Sequence, residues 1–472
     1  MLFRRVYHDR LAQAAYLVAC QSSREALIVD PLRDPAPYLE AARQEGVRIT
    51  MVAETHIHAD FVSGAPALAD AAGAQLLLSG EGSGVAGYDR GAFPRARWLG
   101  DGERLSLGEV QLDVLHLPGH TPEHLAFVVT DSATSDAPIG LLSGDFLFVG
   151  DVGRPDLLER AAGLTGTMTA AAHQLFASLR RIEFLPDFVQ LWPGHGAGSA
   201  CGKALGAMPQ STLGYERLSN WALAPQNETE FVSRVLAGQP EPPAYFARMK
   251  RMNAAGVPPL PPRREPSGAE LNEALEGGAL AVDVRPASEF AAGHLQGSVN
   301  VPLGKSFLTW AGSVLPVDRD LVLVATTPAR TSAEAAAHEL LLIGLDRVLG
   351  VLAPERLSTL SARPLAALPS VPAAVLGTEA GEARTVLDVR TQSEWAAGHI
   401  PGALHIPLAE LTARLDEIRD RAGEPIAVHC QGGSRSAVAA SVLQGAGFRD
   451  VSNVEGGYAA WARAGNRPAT GS

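Results

Sequence analysis

The chain has 472 residues, 46% hydrophobic and 19% charged, with a formal net charge of −12. That length calls for roughly two to four domains with sizeable cores, and the acidic balance argues against nucleic acid or an anionic membrane as the main partner. The three cysteines, Cys20, Cys201 and Cys430, lie far apart with no CxxC pair, so neither a disulfide framework nor a structural zinc cluster is expected, and a reducing, cytoplasmic compartment is.

No apolar run is long enough to span a membrane. Leu17-Val18-Ala19-Cys20 has the look of a lipoprotein cleavage box, but the stretch before it is short and carries Asp9 and Gln13. Tyr16–Cys20 and Ala26–Val29 read better as a first β-hairpin, with Cys20 a buried small hydrophobe. Further strands are expected at Gln75–Leu78, Val110–Leu115, Ala126–Val129 and Gly140–Ser143, separated by Gly and Asp turns with helical stretches between them. This pattern suits two packed sheets flanked by helices.

Several of these strands end in metal-ligand residue types. Thr55-His56-Ile57-His58-Ala59-Asp60 is followed by Phe61; Pro118-Gly119-His120 follows an apolar run; Ser143-Gly144-Asp145 and Trp192-Pro193-Gly194-His195 end two more. One His pair is a weak signal. Imidazoles and carboxylates delivered by Gly turns at several strand ends can converge on one sheet edge and hold a metal.

The Thr-His-x-His-x-Asp run and the later histidines resemble the metallo-β-lactamase superfamily over about residues 1 to 235. Its two-metal members carry a third histidine where this chain has Phe61, and a benzyl ring cannot donate to a metal. That departure, with Gly150-Asp151-Val152-Gly153-Arg154-Pro155-Asp156, resembles the persulfide dioxygenases. The resemblance implies one Fe(II) held by His56, His120 and Asp145, a two-His-one-carboxylate triad with open positions for sulfur and dioxygen. It leaves His58, Asp60 and His195 as water-binding or hydrogen-bonding groups around that metal. The same ligand types also suit zinc. By resemblance to glutathione-using members, Arg154 is a candidate for gripping a carboxylate of a thiol carrier; it could equally form an ion pair with Asp156. Cys201, in a Gly-rich run after His195, either handles sulfur at the mouth of the site or fills a turn.

Proline runs, Pro240-Glu241-Pro242-Pro243 and Pro258–Pro262, read as a semi-rigid linker over 241–264. A looser stretch, Ala362–Ala374, suggests a second boundary. Beyond the linker the chain repeats itself. Val282-Asp283-Val284-Arg285 is followed by Glu289-Phe290 and Gly293-His294; Leu387-Asp388-Val389-Arg390 is followed by Glu394-Trp395 and Gly398-His399 at the same spacings. Two α/β domains with central parallel sheets follow, at 265–362 and 370–472, after a first domain at 1–240.

In the second copy, Val428-His429-Cys430-Gln431-Gly432-Gly433-Ser434-Arg435 reads as a strand entering a Gly loop that opens a helix. Inward N–H groups and the helix N-terminus favour a thiolate and an anion there, with Arg435 attracting anionic substrates. Four residues separate Cys430 from Arg435; cysteine phosphatases have a longer loop, and this one resembles rhodanese. The resemblance implies a Cys430 persulfide cradled by Gln431, Gly432, Gly433 and Ser434. In the first copy, Ala325 takes the cysteine position and Arg330 the arginine position, so that copy reads as a spacer or docking domain.

The whole resembles fused persulfide dioxygenase–rhodanese proteins. That implies oxidation of a low-molecular-weight thiol persulfide by O2 to sulfite, coupled to sulfur transfer that forms or uses thiosulfate, in a homo-oligomer. The competing expectations are a glyoxalase II-like thioester hydrolase fused to a sulfurtransferase, and a sulfur-carrier scaffold with a degenerate metal domain.

Overall fold

Gln13–Ala19 shows how the apolar runs become structure. All seven residues are buried, with Ala14, Tyr16 and Val18 on one face of the strand and the residues between them on the other. A strand buried on both faces needs cover on both, and the first unit supplies it. The computed structural model describes residues 1–82, 84, 87–160, 163–261, 266–326, 329–357, 365–377 and 384–471. The chain divides into Met1–Pro259 with Leu342–Gly344, and Leu260–Leu341 with Leu345–Ser472.

In the first unit, β1 (Leu2–His8), β2 (Gln13–Ala19), β3 (Glu25–Val29), β4 (Arg48–Ala53), β5 (Gln75–Ser79) and β6 (Arg97–Leu99) form one sheet in chain order. The expected hairpin is present, with Tyr16 opposite Val29 and Ala19 opposite Ala26; from β3 to β6 the strands are parallel. The second sheet holds β7 (Arg104–Leu107), β8 (Val110–His116), β9 (Leu125–Asp131), β10 (Gly140–Gly144), β11 (Gln190–Pro193) and β12 (Ser211–Thr212). It is antiparallel except where β10 meets β11.

The period-two pattern of β9 divides the second sheet's two faces. Leu125, Phe127 and Val129 join Tyr16, Leu27 and Leu77 in a core between the sheets. Ala126 and Val128 face the other way, against Leu175, Leu179, Phe231 and Val235. Those last residues belong to α4 (Thr167–Arg181) and α6 (Glu228–Leu236), while α1 (Ala36–Glu45) and α2 (Ala65–Ala72) pack on β4 of the first sheet. The short α3 (Leu157–Arg160) and α5 (Leu213–Ser219) complete the α–β–β–α sandwich. No helix among the described residues is long and apolar enough to cross a membrane.

The stretch 241–264, expected as a linker, needs correction. It carries a helix, α7 (Phe246–Ala255), with Phe246, Met249, Lys250 and Asn253 buried, and this helix belongs to the first unit. The proline runs flank it instead of defining an extended spacer. Residues 262–265 and 358–364 lie outside the described residues, and with them parts of the expected boundaries.

The second unit contains two parallel sheets, as the repeat predicts. Val299–Asn300, Leu280–Asp283, Leu321–Val324 and Val348–Leu352 form the first; Ser370–Pro372, Asp450–Glu455, Pro425–His429, Thr385–Asp388 and Leu404–His405 form the second. The repeated motif has the same structural use in both copies. Arg285 pairs with Asp283 at 2.6 Å and donates to the Gly293 carbonyl; Arg390 pairs with Asp388 at 2.7 Å and donates to the Gly398 carbonyl. His294 stacks on Phe290 at 3.7 Å and His399 on Trp395 at 3.6 Å. The helix Ser434–Gly445 is buried from Ser436 to Leu443, and Ser441 Oγ accepts the Asn300 N–H of the first copy at 2.9 Å.

Arg390→Met leaves buried Asp388 only the residue-390 N–H at 2.9 Å and His429 at 3.5 Å, and removing one partner of a buried pair costs up to about 3–5 kcal/mol. A clear drop in the denaturation midpoint of the second unit is expected, partly restored in the Asp388→Asn/Arg390→Met double variant. Equal midpoints for wild type and Arg390→Met would show that the pair does not hold the copy together.

Candidate functional site

The strands of the first unit deliver their polar ends to one edge. β4 runs into His56, β8 into His120, β10 into Asp145 and β11 into His195. Because β8, β10 and β11 point the same way, their exits share an edge, and the Leu125 N–H donates to the Thr55 carbonyl at 2.7 Å to join the two sheets there. Gly194 is required by close approach: a Cβ on it would stand 2.6 Å from Asp145 Oδ1.

One ligand atom each from His56, His120 and Asp145 lies within 4.8 Å of the others, and all three residues are buried. The hydrogen-bond network assigns the histidine tautomers. Thr55 Oγ donates to Asp30 and so accepts from His56 Nδ1 at 2.9 Å. His120 Nδ1 donates to the Arg154 carbonyl at 2.9 Å, and His195 Nδ1 to the Ala12 carbonyl at 3.2 Å. The opposite ring atoms, Nε2, stand 3.8, 3.6 and 3.5 Å from Asp145 Oδ2 for His56, His120 and His195. Burial first, then the neighbouring histidines, hold His56 and His120 well below the usual imidazole range, so both are neutral donors. Burial pushes Asp145 up to about 6, and neither of its oxygens has a hydrogen-bond partner. A buried carboxylate without partners, facing the lone pairs of His56 and His120, fits a cation.

The residues expected around that metal separate into two groups. Asp60, His195 and Cys201 form a second set of ligand atoms within 4.8 Å of one another, with His195 Nε2 at 3.3 Å from Asp60. Cys201 is therefore inside the site, 1% exposed, and burial followed by the Asp60 and Asp145 charges raises its thiol well above 9. His58 turns to Glu54 at 2.8 Å and Asp30 at 3.2 Å instead. Those carboxylates hold it charged against the cost of burial, while burial brings Glu54 up to about 7. Phe61 is fully buried, its ring centroid 4.3 Å from that of His58.

Of the two roles open for Arg154, the structure shows the ion pair with Asp156. Its guanidinium is buried and spent on Asp156 at 2.7 and 2.8 Å and on the Ala200 and Pro240 carbonyls. The residue acts on the site through its carbonyl, which orients His120.

Residues that sequence reasoning missed support the loop. Asp30 accepts the Thr55 N–H at 2.6 Å, and Glu123 accepts the Ile57 N–H at 2.8 Å. Asn253 on α7 donates to the His58 and Phe61 carbonyls at 2.8 and 2.7 Å and accepts the Ser63 N–H at 2.9 Å. Asp30 ends a strand in a turn, as Asp145 does, and could have been found by that sign. Asn253 carries no local signal.

In the second unit, Cys430 follows its strand directly and is 2% exposed. Its sulfur accepts the Gly433 N–H at 3.1 Å and lies 3.5 Å from Ser436 Oγ. Gly433 precedes the helix with no side-chain cap, so N–H groups of the first turn remain for an anion. Gln431, Gly432 and Ser434 are exposed on this loop. Gly457, at φ 54°, lets the next strand's turn close on it: a Cβ would stand 2.2 Å from the Cys430 carbonyl. Arg435 differs from expectation, since both its terminal nitrogens bind Glu394 at 2.7 Å. Its charge is thus shared, and the loop's N–H groups carry more of any anion binding. Ala325, at the cysteine position of the first copy, is fully buried; the Arg330 side chain lies outside the described residues.

Asn253→Ala should lower metal affinity about tenfold or more, because it frees two carbonyls and one N–H of the ligand loop; competition with a chelator reads this, and an unchanged affinity would show the clamp to be dispensable. His429, beneath Cys430, is brought by burial from 6.5 down to about 4. The unfolded chain then holds a proton that the folded one sheds between those values. Stability of the second unit should therefore fall as the pH drops from 6.5 toward 4, by at most about 3 kcal/mol from this residue. His429→Asn should flatten that part of the slope in denaturation profiles; an unaltered slope would place it elsewhere.

The metallo-beta-lactamase superfamily matches residues 8–195, and the rhodanese-like domain matches 267–353 and 373–464. A human hydroxyacylglutathione hydrolase-like protein is 33% identical over 180 residues, 38% of this chain and 54% of its own length. The mitochondrial persulfide dioxygenase of Bos taurus is 27% identical over 197 residues, 41% of this chain and 68% of its own. The chain thus spans little more than half the length of the first curated relatives it matches, 54% and 60%. A metallo-beta-lactamase structure from Staphylococcus aureus subsp. aureus COL is 39% identical, with TM-score 0.67, and covers 75% of this chain and 99% of that one. The chain therefore belongs to the metallo-β-lactamase superfamily, its metallo-β-lactamase domain followed by two C-terminal rhodanese-like domains.

Proposed function

We propose that this protein oxidises a low-molecular-weight persulfide with dioxygen at the first-unit centre and transfers sulfane sulfur at Cys430. The observation that carries the reading is the convergence of His56, His120 and Asp145, with Phe61 where a third histidine would complete a second metal, in one chain with a Cys430 anion loop. The similarity to a persulfide dioxygenase supports it.

Ferrous iron bound by the triad would supply open positions for a sulfur donor and dioxygen. The chain's own residues do the rest. Thr55 and the Arg154 carbonyl fix the imidazoles, Phe61 and the inter-sheet core keep bulk water out, and Cys201 places a neutral thiol beside Asp145. One persulfide, one dioxygen and one water give one thiol, one sulfite and two protons. At the second site, sulfite attacks the outer sulfur of a Cys430 persulfide, the S–S bond breaks toward Cys430, and thiosulfate leaves with the thiolate regenerated. The reverse direction uses the same groups. Fusion keeps a reactive sulfur species near its next site.

A second reading, a two-metal thioester hydrolase, is favoured by one observation: Asp60, His195 and Cys201 gather beside Asp145. It agrees with the similarity to hydroxyacylglutathione hydrolases.

Protein reconstituted anaerobically with iron should take up oxygen when given glutathione persulfide and release sulfite. Cys430→Ser should keep that uptake and lose thiosulfate formation and use. Loss of both activities in Cys430→Ser would sink the idea of separable sites. Oxygen-independent hydrolysis by the zinc-loaded protein, with no uptake by the iron form, would establish the hydrolase.

A further inference from the structure

Helix α7 has a buried stripe at Phe246, Met249, Lys250 and Asn253. That is the i, i+3, i+4, i+7 spacing of a core-facing helix, and two of its four positions are polar. Asn253 is accounted for, since it clamps the ligand loop through His58, Phe61 and Ser63. Lys250, one turn earlier on the same face, is not.

Lys250 is 5% exposed. Among the described residues its ammonium has no hydrogen bond and no carboxylate within ion-pair distance. Burial lowers Lys250 below the usual lysine range, and the acid whose charge opposes that is Glu123, which spends one oxygen on the Ile57 N–H and leaves the other without a partner. The Lys250 charge also acts on His56 and His120. A buried, incompletely paired cation on the helix face that clamps the ligand loop is costly unless an anion joins it. Asp145 and Asp60 together would neutralise a bound divalent cation, so an anion entering the centre needs a further positive charge, which Lys250 can give.

We propose that Lys250 is the substrate-binding cation of the metal centre, receiving the negative charge of a small sulfur anion: a persulfide's terminal thiolate, or sulfite. The assignment rests on the reading of this centre as one that takes anionic sulfur. It gives α7 two tasks, holding the ligand loop with Asn253 and meeting the ligand with Lys250.

The test reads the metal itself. Full-length wild type, Lys250→Met and Lys250→Arg are loaded with Co(II) and titrated with sulfite and with uncharged imidazole at about pH 8, following the cobalt visible bands. Sulfite affinity should fall about tenfold or more in Lys250→Met and stay within roughly threefold in Lys250→Arg, with imidazole affinity equal in all three. Equal sulfite affinity in wild type and Lys250→Met would overturn the proposal and leave Lys250 as the counter-ion of Glu123. Parallel loss of sulfite and imidazole binding, or failure to take up cobalt, would overturn it in favour of a structural role. Oxygen uptake plays no part in this titration, so a wild type inert toward glutathione persulfide would remove the dioxygenase reading and leave Lys250 to be decided on its own.

Discussion

A carboxylate with both oxygens unpartnered, sealed at the edge where two sheets meet, is the constraint on which the first unit turns. The imidazoles nearest Asp145 do not satisfy it: the Nε2 atoms of His56, His120 and His195 stand 3.8, 3.6 and 3.5 Å from its Oδ2, and the first two rings present lone pairs and not protons. An arrangement of acceptors facing acceptors is stable only around a positive charge. The surrounding architecture follows from keeping those acceptors in place: a carbonyl or hydroxyl behind each ring, a Gly turn where a Cβ would collide, and strands that exit together.

The backbone bears part of that burden. Ala12 and Asp30 adopt left-handed conformations, φ 49° and 53°, that non-glycine residues rarely take. Ala12 offers its carbonyl to His195, and Asp30 receives both the N–H and the hydroxyl of Thr55. Local strain and a charged His58 pinned between two acids are thus tied to the same loop. The charge of His58, which burial alone would have removed, is kept by Asp30 and Glu54. It lies behind His56 and adds to the forces that keep that ring neutral.

What the sequence revealed and what it hid divide along physical lines. His56, His120, Asp145 and Cys430 stand out because each lies at or just beyond the end of an apolar run, so local pattern and chemistry coincide. The repeated Asp-x-Arg and Gly-His spacings predict two copies, and the structure shows that they mark ion pairs and stacked rings that shape each copy. Arg154 and Arg435 share one ambiguity. An arginine beside an anion site looks like a ligand-binding group until its partner, Asp156 or Glu394, is seen. Lys250 and Asn253 were invisible because their contacts lie far away in the chain and because flanking prolines made α7 look like a spacer. Proline marks where a helix begins or ends as readily as where one is forbidden.

The helix that opens at the Cys430 loop is buried around its whole circumference from Ser436 to Leu443, and one wall of that burial is a strand of the copy that lost its cysteine, joined at Asn300 and Ser441. A helix apolar on every side has no solvent face to return to. The copy with Ala325 at the cysteine position thus has a packing role of its own. The helix that opens at Cys430 is packed in part by the neighbouring copy, and separating the two would bare the buried side of that helix at Ser441.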